Sequence, residues 1–367
     1  MNLVLEHKER LNKASNLMNE HDVSTLLITP GANLRYLTGY KAKNLERLTC
    51  LFLQKNELPK LIVPKLEKLA AIDSGINEIE VEIVTWEETE SAFEKIKPPK
   101  NSGIVAVDSN MNASKLLNFQ KLFADSKFTD AGFILNEIRS VKSSYEIEQL
   151  LLAGRYIDEV HRAIPSIFQF GDTEISLARK IANLIIDAGH ESVDFTIVAS
   201  GQNSASPHHE PGEKVIKKGD ILVIDIGGTT PSGYCSDSTR TYVIGECSSD
   251  FQSKYECLKQ AQELSIQAVS SEISAEQLDA VSRDHLRKNN LAEYFIHRTG
   301  HGIGMETHEE PYIVFGNKKL IKDGIAFSIE PGFYIEGKYG ARIEDIVIKH
   351  GGKSVNCNNS TKDLVFI

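Results

Sequence analysis

No apolar run in this sequence approaches the roughly 18 uninterrupted residues that a membrane-spanning helix needs, and charges appear within the first ten residues, where a secretion signal would need an apolar stretch. A cytoplasmic protein with no membrane partner is therefore expected. Basic residues are outnumbered, 41 Lys and Arg against 51 Asp and Glu, for a net charge of −10. Without a basic face there is no general surface for phosphate, which speaks against nucleic acid as a main partner. Cysteine is sparse as well. Cys50, Cys235, Cys247, Cys257 and Cys357 are odd in number, scattered, and lack the short paired spacing of a zinc knuckle, so free thiols are expected.

What is present is length: 367 residues exceed one average core and suit two domains of roughly 140 and 220 residues. Leu11, Ala14, Leu17 and Met18 recur at helical spacing. Short apolar runs then follow at 25–28, 51–53, 61–63, 81–84 and 104–107, alternating with polar segments, which predicts a small α/β layer. The paired prolines of KIKPPKNSG (95–103) mark a loop inside that domain. The boundary falls in RSVKSS (139–144), giving domains 1–138 and 139–367, because a long helical pattern on Ile147, Leu150, Leu151, Ile157, Val160 and Ile164 begins there. Ser143 or Ser144 is its expected N-cap, with Glu146 in the first turn.

Downstream, helices are expected at 174–188, 250–269 and 275–288, and strands at 195–199, 221–226, 239–244, 325–329 and 341–348. Two halves, each a helix pair plus strands, follow in series.

Four stretches carry the chemistry: VIDIGGTTPSGYCSDSTRTY (223–242), HRTGHGIGMETHEEP (297–311), FSIEPGFYI (327–335) and GARIEDIVI (340–348). Asp225 ends an apolar run before Gly227 and Gly228, and Asp237 returns after a turn at Pro231 to Gly233, so a hairpin would bring the two acids together. Glu330 closes a strand just before Pro331 and Gly332. Arg342 and Glu344, two positions apart in one strand, would share a face, and Arg342 would then orient a ligand carboxylate from behind. His301 lies between Gly300 and Gly302, which leave room for a close approach. Four carboxylates in one pocket carry about −4 of charge, intolerable unless cations offset it or some acids take up protons. A single nitrogen donor among oxygens makes a mostly hard site, suited to Mn²⁺, Co²⁺, Fe²⁺ or Zn²⁺.

In these stretches the chain resembles the M24 metallopeptidases, and among them the Xaa-Pro dipeptidases (prolidases) and Xaa-Pro aminopeptidases more than the methionine aminopeptidases, which lack the long N-terminal domain. LLITPGANLRYLTGY (26–40) is similar to the creatinase/prolidase N-terminal domain, so the resemblance covers nearly the whole chain. It implies an α/β N-terminal domain followed by an α+β pita-bread catalytic domain whose internal pseudo-symmetry the sequence itself does not display. It also implies two divalent metal ions, Mn²⁺ first, with Asp237 and Glu344 bridging both, Asp225 serving one, and His301 and Glu330 the other. Such a pair about 3.5 Å apart would acidify a bridging water to hydroxide at neutral pH and polarise the scissile carbonyl.

By the same resemblance Glu330 moves the proton to the leaving amine, His308 donates to the substrate carbonyl, and His208 in ASPHHEP is a substrate-side histidine. His209 is ambiguous, and for His297 a pocket role and a structural one stand level. Cys235 reads as strand filler rather than a thiolate ligand. The implied activity is hydrolysis of the bond between an N-terminal residue and a following proline, by a dipeptidase or an aminopeptidase, in a homodimer. Two alternatives stand beside it: a metal-dependent hydrolase or lyase of a non-peptide substrate, and a non-catalytic binding protein on the same scaffold. One departure is visible. Asp225 and Asp237 are 12 positions apart where many relatives have one fewer, which puts the turn at 229–232 in question more than the acids.

Overall fold

In the computed structural model, which describes residues 3–99 and 103–367, the chain divides into two compact units, Met1–Arg139 and Ser140–Ile367. Residues 100–102 of the paired-proline segment lie outside the described residues.

The first unit opens with α1 (Leu3–Glu20), whose Leu11, Ala14 and Met18 are buried at the helical spacing read from the sequence. Its sheet comprises β1 (Val23–Ile28), β2 (Cys50–Gln54), β3 (Lys60–Pro64), β4 (Glu82–Trp86), β5 (Ile104–Val107) and β6 (Lys127–Asp130), in the order β4-β3-β2-β1-β5-β6. β1, β2 and β3 pair antiparallel, while β4, β5 and β6 add in parallel at the two sides. Helices α2 (Ala32–Thr38), α3 (Lys68–Asp73), α4 (Ala113–Leu122) and α5 (Gly132–Ser140) connect and cover the strands. Leu27, Phe52, Ile62, Val105 and Phe119 meet in one buried cluster. Strand β6 carried too little apolar alternation to be read from sequence, since its side chains are only half-buried or exposed.

The second unit begins with α6 (Ser144–Ile167). Ser143 caps it: its hydroxyl accepts from the Glu146 N–H while the Glu146 carboxylate accepts from the Ser143 N–H, a reciprocal pair that satisfies two orphan donors. α7 (Glu174–Asp187) follows, and both helices pack through Ile157, Val160, Ile164, Leu177 and Ile181 on the sheet formed by β7 (Ser192–Ser200), β8 (Ile221–Thr229) and β9 (Cys235–Val243). A second helix pair, α8 (Ser249–Ala268) and α9 (Ala275–Lys288), precedes β10 (Gly300–Gly302), β11 (Glu309–Ile313), β12 (Ala326–Ile329), β13 (Gly332–Ile335), β14 (Tyr339–Arg342), β15 (Asp345–His350), β16 (Lys353–Asn356) and β17 (Val365–Phe366). These strands form a sheet β11-β10-β12-β15-β16 and a ribbon β13-β14, with β17 joining the first sheet beside β9. Ile266, Leu278, Ile313, Phe327 and Val347 make the second helix-on-sheet core. Two helix pairs, each covering a sheet that is antiparallel apart from the parallel edge strand β17, are the pita-bread plan.

Two expectations need correction. Asp225 does not end a strand: β8 runs on through Gly227 and Gly228 to Thr229, because both glycines pair with β9. The strand expected at 341–348 is broken at Ile343 and Glu344, where β14 leaves its ribbon and β15 enters the larger sheet. The face shared by Arg342 and Glu344 is thus not a consequence of one continuous strand. Among the described residues no helix is long and apolar enough to cross a membrane.

Candidate metal centre

Register explains how the two aspartates meet. β8 and β9 pair without a shift from Ile221–Val243 to Thr229–Cys235, so Gly227 faces Asp237 and Asp225 faces Thr239. The acids are diagonal neighbours on one face of the hairpin. The loop 230–234 joins the two strands, and their pairing is regular up to Thr229 and Cys235.

Glu344 reaches the same place from the break between β14 and β15. Its N–H donates to the Thr239 carbonyl (3.1 Å), its carboxylate accepts from Thr239 Oγ1 (2.7 Å), and Arg240 Nη1 donates to its carbonyl (2.7 Å). Arg240 is itself held by the buried Asp345 at 2.7 Å. Glu330, in the step from β12 to β13, accepts from Ser328 Oγ (3.0 Å), and the same oxygen accepts from the His301 N–H (3.0 Å).

His301 comes from β10, with Nδ1 at 3.1 Å from the Gly302 carbonyl. With Nδ1 donating to that carbonyl, Nε2 is the ring atom that faces the pocket, a donor to Glu330 when it carries a proton and a lone pair for a metal when it does not. Nε2 lies 3.2 Å from Glu330 Oε1 and 3.7 Å from Asp237 Oδ2. The glycine before it is a steric necessity, because a Cβ at Gly300 would stand 1.9 Å from the Ser328 carbonyl oxygen. We therefore expect Gly300→Ala to cost about 1–3 kcal/mol through overpacking against a backbone atom that cannot rotate away. Thermal melting should show a fall of roughly 2–10 °C. Unchanged melting would mean that β10 shifts freely.

Arg342 spans the rear of the site. Nη2 donates to Asp225 Oδ2 at 2.5 Å, Nη1 to the Tyr334 hydroxyl at 2.7 Å, and Nε to Thr239 Oγ1 at 3.0 Å. The sequence predicted a ligand carboxylate as its partner, and the structure makes that partner Asp225. His297 continues the chain, its Nε2 2.9 Å from the Tyr334 hydroxyl and its Nδ1 2.7 Å from the Arg298 carbonyl.

Three sets of donor atoms lie within 4.8 Å of one another: Asp225, Asp237 and Glu344; His301, Glu330 and Glu344; and Asp237, His301 and His308. All five expected ligands thus share one pocket, a cavity of about 760 Å³ that His208, His297, His308 and Arg298 also line. His308 is stacked edge-on to His301, ring centres 4.0 Å apart. Burial, with His301 and Arg298 beside it, lowers His308 to about 4, so its imidazole is neutral at pH 7. His208 lines the cavity but falls outside the donor sets. His209 does not line it: its Nε2 contacts the fully buried Glu174 at 2.8 Å, and Glu174 also accepts from Ser200 and Asn203. Glu174 thereby pins the loop that carries His208.

Electrostatics separates the acids. Burial first, then the neighbouring carboxylates, pushes Asp237 and Glu344 well above the usual range. Burial would also raise Glu330, yet the hydrogen bond to His301 and the nearby His301, His297 and Arg342 outweigh it and hold Glu330 at about 2. Asp225 Oδ1 is buried without a hydrogen-bond partner. An orphaned carboxylate oxygen and two acids driven towards protonation are what divalent cations would relieve, so the donor set fits metal. Cys235 is not among these donor sets, and burial pushes its thiol up to about 12.

Sequence reasoning missed Arg298, Asp194, Thr307 and Glu210, which also line the cavity. Arg298 stood next to His297 in a quoted motif, but an arginine in a turn carries no periodic signal. Glu174 had one available signal, its place in the first turn of α7, which also fits an ordinary helix start.

Fold and site together define a metal-dependent hydrolase, and the comparisons make the class specific. The chain belongs to metallopeptidase family M24: the family model matches residues 148–349, and the creatinase/prolidase N-terminal domain model matches 10–141. It is 41% identical to a probable dipeptidase PepE of Mycobacterium tuberculosis over 98% of this chain and 96% of that protein. It is 33% identical to an Xaa-Pro dipeptidase of Lactobacillus helveticus over 97% and 98% of the two chains. The crystal structure of dipeptidase PepE from Mycobacterium ulcerans superposes with a TM-score of 0.92 at 39% identity, covering 99% of this chain and 98% of that one. The protein is therefore an enzyme of a family that works with divalent metal ions.

Proposed function

We propose that this enzyme hydrolyses the peptide bond between an N-terminal residue and a following proline, with Xaa-Pro dipeptides as its main substrates. The observation that carries the reading is the convergence of Asp225, Asp237, His301, Glu330 and Glu344 within one cavity, in donor groups no wider than 4.8 Å. The names of the relatives favour a dipeptidase over an aminopeptidase.

Asp237 and Glu344 would bridge two ions, Asp225 would complete one and His301 with Glu330 the other. When bound, such a pair acidifies a water towards hydroxide and polarises a carbonyl. The chain's own residues do the rest. Glu330, held ionised and aimed by Ser328, accepts the proton of the attacking water and delivers it to the departing proline nitrogen. His308 donates its N–H to the oxygen on which negative charge develops. His208, which lines the same cavity, would meet the substrate beside it. Arg342 fixes Asp225 and Thr239 fixes Glu344, so the acids do not reorganise as charge moves.

Mn²⁺ as the metal, a cytoplasmic location and a homodimer belong to the same reading, and metal titration and sedimentation check the first and last. The primary test is hydrolysis of Ala-Pro, Ala-Ala and Ala-Pro-Ala by chelator-stripped protein before and after Mn²⁺ is added. Metal-restored cleavage of Ala-Pro above the other two is expected. Equal cleavage of Ala-Ala would remove the proline preference, and silence on all three with metal bound would point to a non-peptide substrate.

A further inference from the structure

We propose that Asp194 selects substrates whose N-terminal residue carries a cationic side chain, lysine or arginine; this rests on the peptidase reading above. In that reading Glu330 delivers a proton to the departing proline nitrogen, so the leaving half lies on the side of His301 and Glu330 and the N-terminal residue on the side of Asp225. Asp225 pairs directly with Ile197, and Gly227 with Phe195, across β8 and β7. Directly opposed residues share a face, so Ile197 and Phe195 stand on the face that carries Asp225 and Asp237, and both line the cavity. The Phe195 ring lies against Gly227, where a Cβ would come within 2.5 Å of it. The wall beside the N-terminal residue is therefore apolar next to the metal ligands.

Beyond Phe195 the wall changes character. The register of β7 on β8 shifts between Val193, which faces Gly228, and Phe195, which faces Gly227, so Asp194 is an extra residue with no partner opposite it. Such a bulge re-aims a side chain that strict alternation would send to the other face. Asp194 lines the cavity, and its carboxylate accepts from Thr229 Oγ1 at 2.8 and 3.0 Å and from Ser192 Oγ at 3.5 Å. Thr229 lies two and four positions beyond Gly227 and Asp225 in β8, on their face, which fixes the acid on the cavity side. Two hydroxyls use only part of what a carboxylate can accept. Asp194 is exposed, and among the described residues it has no Lys, Arg or His ion-pair partner.

A strand advances roughly 3.3 Å per residue, so the acid stands on the order of 10 Å along the wall from Ile197. Apolar over two side chains and anionic at its end, the wall matches the methylene stem and charged head of lysine or arginine. Alanine is too short to reach the acid, methionine covers the apolar part without a charge, and glutamate brings like-charge repulsion.

The test compares kcat/KM for Ala-Pro, Met-Pro, Lys-Pro and Glu-Pro on metal-loaded wild type, Asp194→Asn, Asp194→Lys and Glu210→Gln, with thermal melting as a folding control. Wild type is expected to prefer Lys-Pro over Met-Pro by about 3- to 10-fold and to disfavour Glu-Pro, with both effects shrinking as salt is added. Asp194→Asn should bring the ratio of Lys-Pro to Met-Pro close to one, and Asp194→Lys should turn the preference towards Glu-Pro. Glu210, another exposed acid on the cavity, is the control for the general field of the pocket, and Glu210→Gln should keep the wild-type ratio. Equal use of Lys-Pro and Met-Pro by wild type, or equal changes in Asp194→Asn and Glu210→Gln, would overturn the proposal. Cleavage of Ala-Pro reports separately on the peptidase reading. Should wild type cleave none of the four, that reading fails on its own, and calorimetric binding of Lys-Pro against Met-Pro decides: an Asp194-dependent preference for Lys-Pro supports the assignment, and its absence overturns it.

Discussion

Replacing Glu330 by Gln is expected to lower kcat by roughly 10³-fold or more while leaving the fold intact, because a positioned acid–base group alone contributes about 10²–10⁴-fold. The amide keeps the shape of the carboxylate, and its oxygen can still accept from Ser328 Oγ. What it cannot do is take up a proton at neutral pH. The side chain is 15% exposed, so its environment is mostly protein and no bulk water replaces it readily. Metal content measured beside kcat separates two losses. Full metal occupancy with the rate gone assigns Glu330 to proton transfer, and reduced occupancy assigns part of the effect to ligation. Activity within tenfold of wild type would remove Glu330 from the mechanism.

Stripping the metal should destabilise the protein, and increasingly so as pH rises. Asp237 and Glu344 have their folded-state pKa values raised well above the ordinary range by burial and by the neighbouring carboxylates, Asp225 and Glu330 among them. Above the ordinary carboxylate value the folded, metal-free state therefore binds protons that the unfolded chain has released. Stability contributed by these groups falls as pH climbs from there towards the raised values. Divalent metal replaces those protons, so the gap in melting temperature between loaded and stripped protein is expected to widen between pH 6 and pH 8. At a hundredfold excess over Kd, binding alone adds about 2.7 kcal/mol, or on the order of 5–10 °C. Asp237→Asn should invert the pattern: the stripped variant melts above stripped wild type because the amide is neutral without taking up a proton, yet metal no longer raises its melting point and hydrolysis is lost. A gap independent of pH, or a variant that still responds to metal, would place the ions elsewhere.

Much of the scaffold was legible because its signals are local. The capped start of α6, the helix at 275–288 and the strands β1 to β5 of the N-terminal sheet follow from periodicity and from Ser143 and Glu146. The Asp225 and Asp237 hairpin was legible too, since a short turn fixes register over a few residues. Where the reading went wrong, it extended a local rule past the point where tertiary packing interrupts it. Period-two alternation joined Arg342 to Glu344 in one strand, but Glu344 leaves that strand to meet Thr239, more than 100 residues away in sequence.

The sequence by itself determined the chemical inventory: which acids, which histidines, the glycines that let them approach, and hence the class of metal that fits. It also determined the two-unit order of the chain, through the change of pattern near residue 139. Only the tertiary structure decided which carboxylate Arg342 holds, that His209 belongs to Glu174 and not to the cavity, and that Arg298 lies over the Tyr312 ring. The reason is physical. Side-chain identity and local register are encoded within a few residues, whereas the pairing or isolation of a charge depends on every group that folding brings within a few ångströms of it.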